Sequence, residues 1–289
     1  MGEKLKAALN YIESNLDKSL SIESISTQVG MSQSHLHRKF KAELGLSLYE
    51  LIILLRLKRA AYQLAYRQTK VIDIAFEAHY KSHQAFTRAF QKVFKQAPSA
   101  FRKRANWFFW QQKYDPFLAL RKINMNDNTC FNVELIEFHT LSIAYLTHKG
   151  HPNQLHRSIQ TFIDWRRARA LPPHKSRTFN LLYHDPKRVE PEDYRFDIAC
   201  EFKASALSKL DRDANIAMLD IPQGRYAKIR YQGDDDQLDQ AIYYLFNLWL
   251  EQSGEKLRDF PLFIERVSFF PDVAANKAIS DIYLALESP

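Results

Sequence analysis

The sequence predicts a multidomain chain in which an all-α N-terminal part precedes a C-terminal part of the α+β class. Charge separates the two parts. Residues 1–105 hold 18 lysines and arginines against 8 aspartates and glutamates, whereas the remaining residues hold 23 against 25. From about Cys130 onward, short alternating or apolar runs typical of strands replace the longer helical patterns. The length of 289 residues also suits two domains better than one.

Three helices are predicted at the N-terminus. The second is predicted from Ile22 to Val29, because Ser21 is a favourable N-cap and Gly30 a typical C-terminal residue. Ser32 caps a third helix that runs to about Glu43 and is ended by Gly45. The first helix shows apolar residues at helical spacing, at Leu5, Ala8, Leu9, Ile12 and Leu16.

The second and third helices, with the glycine turn between them, have the pattern of a helix-turn-helix motif. Ile25, Val29, Leu36 and Phe40 are predicted to be buried. The opposite face of the third helix is polar and basic, so its side chains can reach base edges and phosphates in a major groove. These candidate DNA-binding residues are Ser32, Gln33, Ser34, His37, Arg38 and Lys41.

The motif occurs a second time. The stretch "SHQAFTRAFQKVFK", residues 82–95, repeats the pattern of "SQSHLHRKFKAELG", residues 32–45, at an offset of 50 residues. Ile72, Ala75 and Phe76 are predicted to face inward on the helix before it. The candidate DNA-binding residues of the second motif are His83, Gln84, Thr87, Arg88 and Gln91.

A long helix from Leu48 to about Gln68 joins the copies and is basic at Arg56, Lys58 and Arg59. "APSAFRKR" closes the unit with a short basic helix after Pro98. Because dimeric repressors present two recognition helices about 34 Å apart, a chain with both is sufficient as a monomer to read two successive major-groove segments. The oligomeric state stays open.

Residues 3–104 resemble the AraC/XylS-type DNA-binding domain, in the two motifs, their spacing and the terminal Pro-x-x-Phe-Arg. The resemblance implies double-stranded promoter DNA as the partner and, since the family consists mostly of activators, contact with RNA polymerase. His79 and Lys95 stand where the family often has glycine, which predicts some loss of stability. Ser34 and His37 also differ from base-contacting residues of well-known relatives, so the DNA target is not transferable.

Residues 106–128 are predicted to be a linker, because Pro116 interrupts the helical pattern and "NMNDN" favours turns. Five aromatics in eight residues indicate that this linker packs on one domain rather than moving freely, and a relay between domains is the alternative. The predicted organisation is therefore a DNA-binding domain at 1–105, the linker at 106–128 and a second domain at 129–289.

The second domain shows a duplicated strand-strand-helix-strand-strand unit. Each leading strand pair ends in a glycine, Gly150 in one unit and Gly233 in the other. The predicted helices run from Asn153 to about Ala170 and through "DDDQLDQAIYYLFNLWLEQSG". Such a duplication predicts two helices over one sheet, with a cleft at a pseudo-twofold axis.

Glu265 is the candidate ligand-binding residue of this domain. Alternation in "PLFIERVSFF" places Phe263, Glu265, Val267 and Phe269 on one face. A carboxylate among apolar neighbours requires a charged partner, and aromatic walls with one acid suit a lipophilic cation. The alternatives are an internal ion pair with an arginine or lysine, and an exposed strand.

Residues 130–287 resemble the GyrI-like effector-binding domain, through "LLYHDPKRVEPEDYRFDIACEF", "IPQGRYAKIRY" and "FIERVSFF". Its combination with the N-terminal domain resembles the Rob-like subgroup. The resemblance implies sensing of a small amphipathic or cationic molecule, with Glu265 as the sensing residue and Tyr283 as a pocket aromatic. Tyr145, Tyr183 and Trp249 are further candidates.

Two other functions stay open for this domain. One alternative is a small-molecule hydrolase with Glu265 as general base, and the other is a protein-binding module without a ligand cavity. His148, His151 and His156 do not have zinc-site spacing and are predicted to lie in a solvated loop. We expect no cofactor, metal or membrane partner and no catalytic residue, because nucleotide-binding and hydrolase motifs are absent from the sequence. Two cysteines and no visible signal peptide favour a cytoplasmic setting, and the family resemblance implies a bacterial one.

Overall fold

The computed structural model describes residues 2–124, 130–185, 188–203 and 215–288, with the side chains of residues 122–124 excepted. The chain forms two compact units. The first unit consists of Met1–Thr129 with two short later segments, Asp234–Gln237 and Phe270–Ala278. The second consists of Cys130–Gly233, Leu238–Phe269 and Ile279–Pro289. The turn-rich stretch 125–128 lies outside the described residues.

The first helix-turn-helix motif forms as predicted. The Ser21 side chain accepts a hydrogen bond from the Ser24 backbone, and the Ser24 side chain completes a capping box. Gly30 and Gly45 end their helices with φ of 59° and 70°, in the left-handed region that glycine tolerates. The helices are α1 (Glu3–Ser14), α2 (Ile22–Val29) and α3 (Gln33–Leu44).

The second motif has the predicted helices but not the predicted inward face. Ile72 and Phe76 are exposed, at 44% and 55%, whereas Ile74, Ala75 and Ala78 are buried. The prediction for Ile72 and Phe76 is therefore wrong. The seven-residue helix carries apolar residues on more than one face, so periodicity alone does not identify the buried one. The helices here are α4 (Leu48–Tyr66), α5 (Val71–Glu77), α6 (His83–Phe94) and α7 (Pro98–Lys103).

His79 and Lys95 adopt the backbone conformation that usually selects glycine. Their φ angles are 62° and 54°. Each follows or ends a helix as Gly30 and Gly45 do, with the His79 backbone N–H bonded to Phe76 O and the Lys95 N–H to Gln91 O. The turns are therefore kept in the second motif, with a non-glycine residue in the left-handed region.

The predicted linker is largely a helix, α8 (Phe108–Asn124), and it continues through Pro116. The prediction that Pro116 interrupts the helix is wrong. Trp107, Trp110, Tyr114 and Phe117 are buried within the first unit, and α8 packs against α3 and α6. The burial of these aromatic side chains outweighs the one backbone hydrogen bond that a proline removes.

Lys58 does not contribute to a basic surface on α4, contrary to the prediction. Its side chain is buried in the first unit, with its Nζ 2.7 Å from Asp236 Oδ2 and 3.3 Å from Asp234 Oδ2. Tyr114 also donates a hydrogen bond to Asp236 Oδ2. Burial lowers the pKa of Lys58, but the attraction of Asp234 and Asp236 outweighs it and raises that pKa. This cluster is not recognisable in the sequence, because Lys58 lies about 180 residues from Asp234 and Asp236.

The second unit contains an eight-stranded sheet in which every pair of neighbours is antiparallel. The strand order is β1-β6-β8-β7-β3-β4-β2-β5. The strands are β1 (Val133–Phe138), β2 (Leu141–Lys149), β3 (Thr178–Leu182), β4 (Arg195–Glu201), β5 (Ile216–Ile221), β6 (Gly224–Gln232), β7 (Leu262–Ser268) and β8 (Ile279–Ala285).

This strand order has the twofold symmetry that the duplication predicts. Exchanging β1 to β4 with β5 to β8 reverses the order and leaves it unchanged. The axis passes between β3 and β7, where Phe179 pairs with Glu265 and Leu181 with Phe263. Residues of β3 and β4 correspond to those 84 positions later in β7 and β8, so Asp197 corresponds to Asp281 and Ala199 to Tyr283.

Helices pack on one face of the sheet. Helix α9 (Leu155–Ala168) packs Phe162 and Trp165 against β2, β4 and β5. Helix α10 (Leu238–Tyr244) continues through a π-helical segment, Leu245–Trp249, into α11 (Leu250–Ser253). This helical run packs Leu238, Ala241 and Leu245 against β6, β7 and β8. Ile198, Cys200 and Phe202 lie beneath α9.

The opposite face carries a cluster to which all eight strands contribute, and which we call the central aromatic cluster. Its buried members come from strands rather than helices in the described part of the chain. Because side chains alternate along a strand, they point away from the face that α9 and α10 cover. The buried members are Phe138, Ile143, Phe179, Leu181, Ala199, Ile221, Tyr226, Phe263, Tyr283 and Ala285.

Candidate functional sites

Helix α3 presents its predicted DNA-binding residues to solvent. Ser32 caps the helix by accepting a hydrogen bond from the His35 backbone N–H, and Leu36, Phe40 and Leu44 hold the opposite face in the core. This burial on one side fixes which residues remain outside. The exposed set is Ser32, Gln33, Ser34, His37, Arg38 and Lys41.

Helix α6 repeats this arrangement with an aromatic core. Ser82 accepts a hydrogen bond from the Ala85 N–H, while Phe86, Phe90 and Phe94 are buried. The rings of Phe90 and Phe94 stack at 4.3 Å, and both meet Phe101 edge-on. The exposed residues are His83, Gln84, Arg88 and Gln91.

Thr87 differs from the other predicted contact residues. It is half-buried, and its hydroxyl oxygen is buried without a hydrogen-bond partner among the described residues. The prediction that Thr87 faces outward is therefore wrong for the hydroxyl in this rotamer. Position 87 is adjacent to the buried Phe86, so it lies at the border of the apolar face.

Arg38 and Arg88 occupy equivalent positions in the two motifs. Both are exposed, and neither guanidinium makes an ion pair within the described ranges of the chain. A guanidinium that is held on a helix surface and is free of internal carboxylates can bind phosphates or guanine edges.

Glu265 lies beside the twofold axis of the second unit and is paired with Arg177. Arg177 Nε donates to Glu265 Oε1 at 2.8 Å, and its Nη2 donates to Oε2 at 2.6 Å. The Glu265 side chain is 14% exposed and that of Arg177 is 41% exposed. Of the alternatives raised for Glu265, the structure therefore contains the internal ion pair.

Aromatic side chains surround this ion pair. Tyr283 donates a hydrogen bond to Glu265 Oε2 at 3.2 Å, and its ring stacks on that of Phe263 at 4.7 Å. The Arg177 guanidinium carbon lies 5.1 Å from the centre of the Phe179 ring and 5.9 Å from that of Phe138. Burial, together with the negative charge of Glu265, raises the pKa of Tyr283, so its hydroxyl remains a proton donor at neutral pH.

Four of the five predicted ligand-binding residues share one face of the sheet. Glu265 and Tyr283 are in direct contact, and Tyr145 and Tyr183 are partly buried against the central aromatic cluster. Trp249 lies instead in the helical run and packs against the opposite face, so its grouping with Glu265 is corrected. Phe263 and Glu265 share the predicted face, but a register shift between Arg266 and Ser268 ends it, and Val267 is 46% exposed.

Two buried aspartates flank the cluster in symmetry-related positions. Asp197 is fully buried and accepts hydrogen bonds from the Tyr183 hydroxyl and from Arg195, both at 2.7 Å. Asp281 lies 2.8 Å from Arg230 and 3.2 Å from Lys228. Sequence reasoning missed both aspartates and Arg177. The partners of Arg177 and Asp281 lie on other strands and are identified only once strand register is known, whereas the Arg195–Asp197 spacing on β4 was a signal in the sequence itself.

His148 is buried on β2 and His156 lies in α9, so the expectation of a solvated loop is wrong for both residues. The Nδ1 atom of His148 is 2.9 Å from the Ser158 hydroxyl. The sequence signal for this position was its alternation with the apolar Ala144 and Leu146, which are buried on the same strand. Across the described ranges, the structure contains neither a cluster of three metal-binding side chains nor a helix long and apolar enough to cross a membrane.

A double helix-turn-helix unit with basic recognition helices and a twofold α+β unit with an acidic, aromatic-walled site define the class. The protein is a DNA-binding transcriptional regulator with a small-molecule binding domain. Residues 131–287 match the family described as "GyrI-like small molecule binding domain", and residues 25–104 match a helix-turn-helix domain family of the AraC type. The chain belongs to the GyrI-like family.

Several known proteins are similar to parts of this chain. The probable transcriptional regulator YgiV of Escherichia coli K12 is 30% identical over 160 residues, which is 55% of this chain and 98% of that protein. The transcriptional regulator Rob of Salmonella typhimurium is 34% identical over 103 residues, and the match covers 36% of each chain. The solved EcmrR C-terminal domain covers 56% of this chain and all of that one, at 17% identity and a TM-score of 0.44.

Proposed function

We propose that the chain is a sequence-specific regulator that reads promoter DNA with α3 and α6 and senses a lipophilic cation at Glu265. The observation that carries the DNA part is the matched exposure of polar and basic residues on both helices. Each helix is anchored by buried apolar residues on its other side, so the exposed face has a fixed orientation. Such a face suits a major groove.

In vitro selection from a random DNA library tests the DNA part. The selected sequences are expected to contain two half-sites about one helical turn apart, since each motif reads one segment. A single half-site, or no enrichment over random DNA, contradicts reading by both motifs. Affinity for the selected DNA is expected to fall steeply with salt, because phosphate contacts release counterions.

The ligand part rests on one carboxylate within an aromatic wall. Glu265 is mostly buried, and Phe138, Phe179, Phe263 and Tyr283 lie around it or its partner. Ring faces attract cations, and a carboxylate in a poorly solvated site favours an opposite charge. An amphipathic cation therefore matches both features of the site better than an anion or a neutral molecule.

Equilibrium titration of the full chain with tetraphenylphosphonium tests the ligand part. Wild type is expected to bind, and Glu265→Gln is expected to lose at least about tenfold in affinity, since one charge contact corresponds to about 1.4 kcal/mol or more. Equal binding by both proteins contradicts the role of Glu265. Hydrolysis is the less supported function, because the similar proteins are named as transcriptional regulators.

The proposed sign of regulation is activation through contact with RNA polymerase. The double helix-turn-helix domain supports this sign by its resemblance to a family of mostly activators. In vitro transcription from a promoter that contains the selected site measures it directly. An increase in transcript on adding the protein is expected, and a decrease identifies a repressor.

A further inference from the structure

The Glu265 site already contains a cation of the same chain. Arg177 makes two parallel hydrogen bonds to the two carboxylate oxygens, which is the strongest geometry for such a pair. The hydrogen bonds and the charge of Glu265 raise the pKa of Arg177. An organic cation that approaches the Glu265 oxygens therefore meets a group that already binds there.

Arg177 also makes the aromatic contacts expected of a ligand. Its guanidinium lies within about 6 Å of two ring centres, those of Phe179 and Phe138, the range of cation–π attraction. Both rings belong to the central aromatic cluster. The carboxylate and the ring faces that a lipophilic cation requires are thus the groups that Arg177 contacts.

The backbone at Arg177 is fixed, whereas its side chain has a second carboxylate within the sheet. Arg177 O accepts a hydrogen bond from the Glu201 N–H at 2.9 Å, so the two residues are cross-strand neighbours at the start of β3 and the end of β4. Glu201 is half-exposed, and its negative charge already acts on Arg177. The side chain of Arg177 is 41% exposed and therefore has access to solvent.

We propose that Arg177 is an internal occupant of the Glu265 site, and that a lipophilic cation binds by displacing its guanidinium toward Glu201. This inference rests on the proposed binding of cations at Glu265. The apparent dissociation constant is the intrinsic one divided by the fraction of molecules in which the site is open. Arg177 lowers that fraction, so a higher ligand concentration is required to occupy the site.

The same contact determines which ligands bind. A small hydrated cation brings one charge in exchange for a guanidinium that already makes two hydrogen bonds and two ring contacts. A bulky apolar cation adds buried area on the aromatic rings and can outcompete it. A neutral amphiphile brings no charge to Glu265, so it leaves the ion pair in place.

Titration of the full chain with tetraphenylphosphonium, in wild type and variants, tests the proposal. Arg177→Gln is expected to bind about tenfold more tightly or better, because it opens the site. Glu265→Gln is expected to bind at least about tenfold more weakly. Arg225→Gln is the matched control, since Arg225 makes a similar bidentate pair with Glu255 at 2.8 and 3.0 Å on β6; its affinity is expected to equal that of wild type.

The outcomes separate the proposal from the function on which it rests. Weaker or unchanged binding by Arg177→Gln, with loss in Glu265→Gln, overturns the displacement and keeps cation sensing. Absence of binding in wild type and in Arg177→Gln overturns both. Tighter binding in Arg177→Gln supports the displacement.

A measurement on wild type avoids any folding defect of the variant. The Arg177 Nε–H resonance, assigned by its loss in Arg177→Lys, is expected to shift toward the solvent-exposed value on addition of tetraphenylphosphonium. A resonance that stays in place when the ligand is bound overturns the proposal.

Discussion

Each of the two units is built from a repeated element, but the two repeats differ in whether both copies carry the functional residues. In the first unit, both copies keep an exposed recognition helix, and Arg38 and Arg88 occupy equivalent places. In the second unit, both halves keep the buried framework, as Asp197 and Asp281 show, yet the acid and the tyrosine of the ligand site occur in the second half without equivalents in the first. Glu265 corresponds to Leu181, and Tyr283 to Ala199.

The difference follows from what each unit must contact. DNA presents successive major-groove segments of similar shape, so two equivalent reading helices are useful together. A small molecule that binds near the twofold axis needs one carboxylate of the protein. A second, symmetry-related acid would lie close to the first, and the two negative charges would repel each other. The framework repeat is therefore expected to control stability, and the unmatched residues are expected to control ligand binding.

The largest expected effect concerns the framework aspartates. Asp197→Ala and Asp281→Ala are each expected to lower the free energy of unfolding by about 2–3 kcal/mol. Removing one partner of a buried pair costs roughly 3–5 kcal/mol, and the exposure of Arg195 and Arg230, at 34% and 60%, reduces that cost. Urea unfolding, with the sheet transition assigned by hydrogen exchange, measures this.

Glu265→Gln serves as the contrast and is expected to cost about 1 kcal/mol or less. The Glu265 side chain is 14% exposed, against 0% and 4% for Asp197 and Asp281, and glutamine still accepts a hydrogen bond from Tyr283. A neutral Asp281→Ala beside a costly Asp197→Ala would show that the two halves are not equivalent frameworks.

Buried aspartates of the two units are expected to change the free energy of unfolding in opposite directions as pH rises. Burial raises the pKa of Asp234 to about 6 from 3.8, against the attraction of Lys58. The folded first unit therefore binds an extra proton near pH 5, and its stability falls as pH rises through about 4 to 6. Burial also acts on Asp281, but the hydrogen bonds from Arg230 and Lys228 outweigh it and lower the pKa of Asp281, so that contribution is lost as pH falls below about 4.

Thermal unfolding of Asp234→Asn and Asp281→Asn between pH 3 and pH 7 measures the two signs. Asp234→Asn is expected to remove a decline of roughly 2–3 kcal/mol between pH 4 and 7, since one pKa unit is about 1.4 kcal/mol. The exposed Asp17→Asn is the control and is expected to leave both slopes unchanged. A stability that rises with pH through 4 to 6 and is unaffected by Asp234→Asn contradicts the assignment.

The two recognition helices are expected to contribute comparably to DNA binding. Arg38→Ala and Arg88→Ala should each cost about 1–3 kcal/mol on the selected DNA if they contact bases, and the double variant about the sum. Gel-shift titrations at fixed salt measure this, with the exposed Arg157→Ala of α9 as control. A neutral Arg88→Ala would mean that one motif alone reads sequence, and equal loss on random DNA would identify phosphate contacts.

The smallest effect concerns the turns that differ between the two motifs. His79→Gly and Lys95→Gly are expected to raise the free energy of unfolding by about 1 kcal/mol each, because both residues have positive φ. Gly30→Ala and Gly45→Ala should have the opposite sign, and a Cβ at Gly45 would also lie 3.2 Å from Leu120 Cδ1. Destabilisation by His79→Gly would indicate that the imidazole makes a compensating contact.

Local patterns predicted most of the elements of both units. Caps and apolar spacing predicted α2, α3 and α4 to within about two residues, and the strand-strand-helix repeat predicted the twofold order of the sheet. These features are short-range, and neighbouring residues determine them.

Long-range contacts were not accessible in the same way. Arg177, the partner of Glu265, lies 88 residues away along the chain, directly before β3, which pairs with β7. The sequence therefore indicated an internal ion pair as an alternative but did not identify Arg177. Lys58 was predicted to be a surface residue because its acidic partners lie far along the chain. Pro116 was taken to break a helix that buried aromatics stabilise.

Glu265, the unmatched acid of the second unit, is proposed to bind the positive charge of a ligand. A thermal-shift screen of the full chain against lipophilic cations, bile salts and neutral amphiphiles, alongside Glu265→Gln, tests this proposal most directly. A ligand at 100 times its Kd stabilises the folded state by about 2.7 kcal/mol. Cations are expected to stabilise wild type and not the variant. Stabilisation by bile salts or neutral amphiphiles alone, or equal stabilisation of both proteins by cations, would contradict it.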